Sequence, residues 1–215
     1  MEQVLDLQSL VKAHFISRLS DDDEPIYILL HGYCENAQKM WRRFSQLFSE
    51  EINLLALNGP YPIPVKKDDG YEIGYSWFFF DPETGQYYIH YDVVVDYFKN
   101  FAKALNIENR DLRLIGFSQG GYCLPHLAQA HQNVTKCISL GAQLVIESPQ
   151  FTQKNLKFYS LHGSADESVD IDRAQTLFNT LPDAVKGEFI SYEGLTHKPS
   201  LVMLKKAVEL AIRTQ

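Results

Sequence analysis

Three groups must meet for a hydroxyl to attack a carbonyl: a serine, a base to take its proton, and an acid to hold the base in the right tautomer. The sequence offers the serine in Gly116-Phe117-Ser118-Gln119-Gly120. An apolar run (Leu112, Leu114, Ile115) leads in, and a helix-compatible run leads out from Tyr122. Strand, Gly-x-Ser-x-Gly and helix, in that order, put a serine on a sharp, strained turn with its hydroxyl clear of the sheet. Glycine at 116 and 120 removes side chains that would collide across such a turn. Gln119 opens the helix, so its N–H points at the reaction centre, and the helix dipole adds partial positive charge there. A bare Gly-x-Ser-x-Gly says little; the strand before and the helix after give it weight.

The base and the acid should lie at strand carboxyl ends, in the order serine, acid, histidine. Asp166 follows a strand ending near Leu161, in His162-Gly163-Ser164-Ala165-Asp166, and His197 follows the last strand, in Glu193-Gly194-Leu195-Thr196-His197. A single loop aspartate is more often a cap or turn former, and a single loop histidine a bystander. Their joint order and placement select Asp166 and His197. His31 and His162 sit in His-Gly turns on the wrong side of the serine or the acid, which suits closing a turn. Asp170 and Asp172 suit the N-terminus of the following helix. A second oxyanion donor is expected from the loop after an early strand, where the Tyr33 backbone N–H of His31-Gly32-Tyr33 is the candidate. Cys34, Cys123 and Cys137 read as buried thiols, with Cys34 in a loop near the site.

The elements that must position these residues alternate. Leu10 to Ile16 suits an edge strand or a short helix. Strands are expected at Ile26–Leu30, Ile52–Leu57, Leu112–Phe117, Lys136–Leu140, Asn155–Leu161 and Gly187–Tyr192, and helices at Ala37–Glu51, Tyr91–Asn106, Ile171–Leu181 and Ser200–Ile212. The helix after Ser118 contains Pro125, which should bend or break it. Residues 59–90 read as a long excursion without periodicity, and such loops tend to be functional. Its aromatic run, with Trp77 and Phe78, should pack on the scaffold or line a substrate pocket. The pattern predicts one α/β domain over 1–215, a doubly wound, mostly parallel sheet of about six strands with its site at the strand carboxyl ends.

A net charge of −7 argues against nucleic acid or an anionic membrane as partner. Three cysteines without metal-type spacing, and no apolar run long enough to span a bilayer, fit a cytoplasmic protein with no metal. The start of the chain shows no signal-peptide pattern.

Leu30-His31-Gly32, Trp77-Phe78, Gly116-Phe117-Ser118-Gln119-Gly120-Gly121, His162-Gly163-x-x-Asp166 and Tyr192-Glu193-Gly194-x-x-His197 resemble the phospholipase/carboxylesterase family of α/β-hydrolases. That family includes acyl-protein thioesterases and small bacterial carboxylesterases. The resemblance implies Ser118 as nucleophile, Asp166 as acid, His197 as base, the Gln119 and Tyr33 amides as oxyanion hole, and hydrolysis of esters or thioesters without a cofactor. Two departures stand out. The family's oxyanion loop usually reads His-Gly-x-Gly, and here Cys34 replaces the second glycine, which strains it if that position needs φ > 0. The segment from Asp68 to Tyr91 also differs, which bears on substrate range. The span from Ser118 to Asp166 is too short for a large lid. The expected reaction is therefore cleavage of short to medium acyl esters or thioesters of small molecules or acylated peptides. Lysophospholipid hydrolysis and protein depalmitoylation are rivals within the class. An idle hydrolase scaffold that binds without turnover is the alternative from outside it.

Overall fold

Apolar runs without a polar face require a sheet covered on both sides. In the computed structural model, which describes residues 11–20, 23–81 and 86–213, those runs form one seven-stranded sheet. Its strands are β1 (Phe15–Arg18), β2 (Ile26–Leu30), β3 (Asn53–Leu57), β8 (Leu112–Phe117), β9 (Val134–Leu140), β10 (Lys157–Gly163) and β11 (Lys186–Tyr192). They lie in the order β1-β3-β2-β8-β9-β10-β11, with β1 antiparallel to β3 and every other neighbouring pair parallel. The first strand is an edge strand, but it starts at Phe15; Leu10 lies outside the described residues.

Alternate residues of each strand feed two cores. Ile26, Ile28 and Leu30 pack with α2 (Tyr91–Ala104), α4 (Leu124–Ala130) and α5 (Ile171–Asn179) through Val94, Phe98, Leu127 and Phe178. Tyr27 and Leu29 pack on the other face with α1 (Ala37–Phe44) and α6 (Leu201–Ile212) through Met40, Phe44, Leu204 and Val208. The sheet is therefore doubly wound, as the alternation of elements requires. Between Ser118 and Asp166 the chain runs through α3 (Gln119–Tyr122), α4, β9 and β10, with no large lid.

Three expectations change. The stretch 59–90 is not an irregular loop: β4 (Tyr61–Lys67) pairs with β5 (Gly70–Ser76), and β6 (Phe79–Asp81) with β7 (Gln86–Tyr88). The β4–β5 ribbon is largely solvated on both faces, so it carries no clean alternation to read. Pro62 and Pro64, two residues apart, put both missing N–H groups on one side of β4, which a ribbon edge tolerates. Helix α1 stops at Phe44 rather than Glu51. The turn that follows still buries Phe48, with Leu47 N–H donating to the Phe44 carbonyl, so the apolar stripe outlasts the helix. Finally, the helix after Ser118 breaks at Cys123 into α3 and α4, and Pro125 stands in the first turn of α4 where its missing N–H costs nothing.

Candidate active site

Ser118 stands between β8 and α3 with φ 48° and ψ −119°, a backbone conformation that side chains rarely adopt. Tight packing holds it there. A Cβ on Gly116 would lie 2.5 Å from the Gly120 carbonyl oxygen, and one on Gly120 would lie 2.5 Å from that of Leu30. The Ser118 N–H donates to the Leu140 carbonyl (2.9 Å), and the Gly120 N–H donates to that of His31 (3.0 Å). The turn is thus fastened to the carboxyl ends of both neighbouring strands, β9 and β2.

The residues selected from sequence converge. His197 Nε2 lies 3.0 Å from Ser118 Oγ, and His197 Nδ1 lies 2.8 Å from Asp166 Oδ2. Asp166 Oδ1 accepts the backbone N–H groups of Ser168 (2.8 Å) and Val169 (2.9 Å), so each carboxylate oxygen has its own work. With the Asp166 side chain fully buried, this arrangement favours the Nδ1–H tautomer, in which Nε2 can accept a proton from Ser118. The His197 ring lies against Phe117, with centroids 5.1 Å apart.

His31 closes a turn. It is buried, its Nε2 accepts the Gly59 N–H (2.9 Å), and Nδ1–H donates to the Gly32 carbonyl (2.7 Å). Burial pushes its pKa down to about 4, which keeps the ring neutral. His162 is likewise buried beside Ser160 (2.8 Å), and burial lowers its pKa to about 4. Asp170 caps α5, accepting the Arg173 N–H at 3.1 Å.

The loop after β2 carries Tyr33 and Cys34. Cys34 does adopt positive φ (57°), so this loop keeps the backbone of a glycine-containing loop with a cysteine in it. The β5 strand braces it: Cys34 N–H donates to the Tyr75 carbonyl (3.1 Å), and Tyr75 N–H donates to that of Glu35 (2.7 Å). Arg43 grips Glu35 through both guanidinium ends at 2.6 and 2.7 Å.

A cavity of about 360 Å³ opens over Ser118 and His197. Tyr33, Phe78, Ile89, Tyr122 and Val169 supply its apolar wall, and Gln119, Gln143, Ser168 and Arg173 its polar one. Phe78 thus lines it, whereas Trp77 is fully buried off the cavity with its indole N–H on the His31 carbonyl (2.8 Å). The sequence reading missed a role for the Gln119 side chain. Its Oε1 accepts the Trp77 N–H (2.8 Å) and the Ser76 hydroxyl (2.9 Å), and its Nε2 donates to the Phe78 carbonyl (3.0 Å). One residue therefore starts the helix behind the serine and pins the aromatic segment beside it. The wider lining, Gln143 and Arg173 included, carries no motif that would have announced it.

A mostly parallel, doubly wound sheet with a serine on a strained strand–helix turn, and the histidine and acid on later loops, defines an α/β-hydrolase. The chain belongs to the phospholipase/carboxylesterase family, which it matches over residues 12–212, and it is a hydrolase acting on esters. Solved structures similar to it include esterase PE8 (18% identity, TM-score 0.72, covering 93% of this chain and 97% of that one). The Bacillus cereus carboxylesterase is another (16%, TM-score 0.67, 94% of each chain). So is Zea mays acyl-protein thioesterase 2 (17%, TM-score 0.63, 94% and 97%). A search of curated proteins gave no match. Among the described residues, no helix is long and apolar enough to cross a membrane, and no cluster of three His, Cys, Asp or Glu side chains could hold a metal ion.

Proposed function

We propose that the protein cleaves short to medium acyl esters or thioesters through an acyl-enzyme on Ser118. The observation that carries this reading is the unbroken chain of hydrogen-bond distances from Ser118 through His197 to Asp166, opening onto a cavity with an apolar wall. His197 Nε2 takes the serine proton as Oγ bonds to the carbonyl carbon. The resulting oxyanion is held by the backbone N–H groups of Gln119 and Tyr33, a contribution of about 10²–10³ in rate for each such donor. His197 then gives its proton to the departing alcohol or thiol, and the acyl group stays on Ser118. Water enters, His197 takes a proton from it, and a second tetrahedral species collapses to the free acid and Ser118. Asp166 keeps its charge throughout and offsets the imidazolium.

Volume supports the chain-length assignment, since about 360 Å³ lies toward the small end of small-ligand sites. The test is kcat/KM across 4-nitrophenyl esters from acetyl to palmitoyl, with an acyl-cysteine peptide alongside. Turnover should favour the shorter half of the series and fall by about 10⁴–10⁶ in Ser118→Ala. Retained turnover in that variant would overturn the assignment of the nucleophile. A maximum at palmitoyl would overturn the chain length.

A further inference from the structure

The polar side of the cavity carries an exposed arginine that has no ion pair among the described residues. Arg173 lines the cavity together with Gln143 and Ser168. Among the described residues, no carboxylate lies within ion-pairing distance of its guanidinium, whereas Arg43 pairs with Glu35, Arg113 with Asp111, and Arg213 with Glu188 and Glu209. Arg18 and Arg110 donate to main-chain carbonyls, and Arg42, exposed on α1, is likewise without an ion pair among the described residues but lies off the cavity. The nearby Asp170 carboxylate is taken up by the α5 cap, where it accepts the Arg173 backbone N–H.

The position is also a poor one for a cation. Arg173 stands in the first turn of α5, next to the positive end of the helix, where acids such as Asp172 are favoured. Departures from local rules of this kind concentrate at functional sites. The protein as a whole carries −7, so its general field repels anions, and the Arg173 guanidinium places a positive charge at the cavity.

We infer that Arg173 is a specificity residue for esters bearing a carboxylate or phosphate close to the scissile bond. The inference rests on the ester-hydrolase reading above and names a substrate class for that same site. A planar guanidinium binds such oxyanions through paired N–H donors, and Gln143 and Ser168 border the same wall as further polar groups. The charge could sit on the acyl half or on the alcohol half of the ester.

Two matched pairs separate these sources. One sets 4-nitrophenyl hemiglutarate against 4-nitrophenyl valerate, and the other sets O-butyrylglycolate against its methyl ester. The ratio of kcat/KM for the anionic over the neutral member is read in wild type, Arg173→Ala, Arg173→Lys and Arg42→Ala. Arg42, on α1, lies away from the cavity lining and controls for the general field. In at least one pair the ratio should fall about tenfold in Arg173→Ala, fall less in Arg173→Lys, which keeps charge without the fork, and hold in Arg42→Ala. A ratio unchanged by Arg173→Ala in both pairs, or an equal fall in Arg42→Ala, overturns the inference while turnover of the neutral esters leaves the parent reading standing. Failure of the wild type to cleave any of the four overturns both.

Discussion

Gly163 ends β10 just before the Asp166 loop, and the His197 loop packs directly on it. A Cβ at this position would lie 2.0 Å from the Leu195 carbonyl oxygen and 2.7 Å from that of Thr196, both main-chain atoms leading into His197. Ordinary contact begins at 3.4 Å, so Gly163→Ala must drive the two segments apart by about 1.4 Å. They are also tied together, because the Ala165 N–H donates to the Leu195 carbonyl at 2.9 Å, and that bond opposes the retreat. His197 has little room to move: it spans 2.8 Å to Asp166 and 3.0 Å to Ser118. Misplacement of a catalytic group by about 1 Å costs about 10²-fold in rate, so kcat should drop about 10²–10³-fold. The overpacking itself should cost about 1–3 kcal/mol of stability. Steady-state kinetics on a short 4-nitrophenyl ester, beside a urea titration that gives the folded fraction, measures both. A folded Gly163→Ala variant with kcat within about threefold of wild type would refute the argument that this contact sets the position of His197.

The strain at Ser118 predicts an inversion of the usual order: Ser118→Gly should be more stable than Ser118→Ala by about 1 kcal/mol, although both are inactive, because only glycine accepts φ 48° freely. Urea midpoints of the two variants decide it, and alanine above glycine would contradict it. Acid should destabilise the fold early. The folded state binds no proton on His31 or His162 until about pH 4, while the unfolded chain protonates these rings from about 6.5 downward. Depressed folded values therefore mean stability held above pH 6.5 and lost as pH falls toward 4, readable as a falling urea midpoint. Constancy from pH 7 to 5 would count against the buried neutral histidines. Lys136, nearly fully buried, donates to the Leu210 (3.1 Å) and Ala211 (3.3 Å) carbonyls at the end of α6. Lys136→Met should cost about 1–3 kcal/mol in chemical denaturation by removing the donor to the Leu210 carbonyl, whereas the Ala211 carbonyl keeps its bond from Arg113 (2.8 Å).

The parts of the fold that could be read in advance are those where burial leaves a pattern. β2, β3 and β8 are nearly all apolar because both faces are covered, and the residues that end such strands are the ones the site uses. Ser118, Asp166 and His197 were legible for that reason, each through its place at the end of a strand. The β4–β5 ribbon was not, because a two-stranded ribbon exposed on both faces has no buried stripe to display. The sequence left Trp77 between scaffold and pocket because an aromatic run looks alike in a core and in a cavity wall. What separates them is the His31 carbonyl, which comes from a distant strand end to meet the indole N–H. Arg173 carries no signal in the sequence; its standing comes from the cavity it borders and from the lack of an ion pair among the described residues, and both are properties of the assembled fold.

The central claim is that His197 activates Ser118, and labelling with a fluorophosphonate probe tests it most directly, since the reagent needs an activated serine and no knowledge of the substrate. The wild type should be labelled at Ser118, and labelling should vanish in Ser118→Ala and in His197→Ala. A folded wild type that resists the probe, or a His197→Ala variant labelled as fast as wild type, would contradict the account.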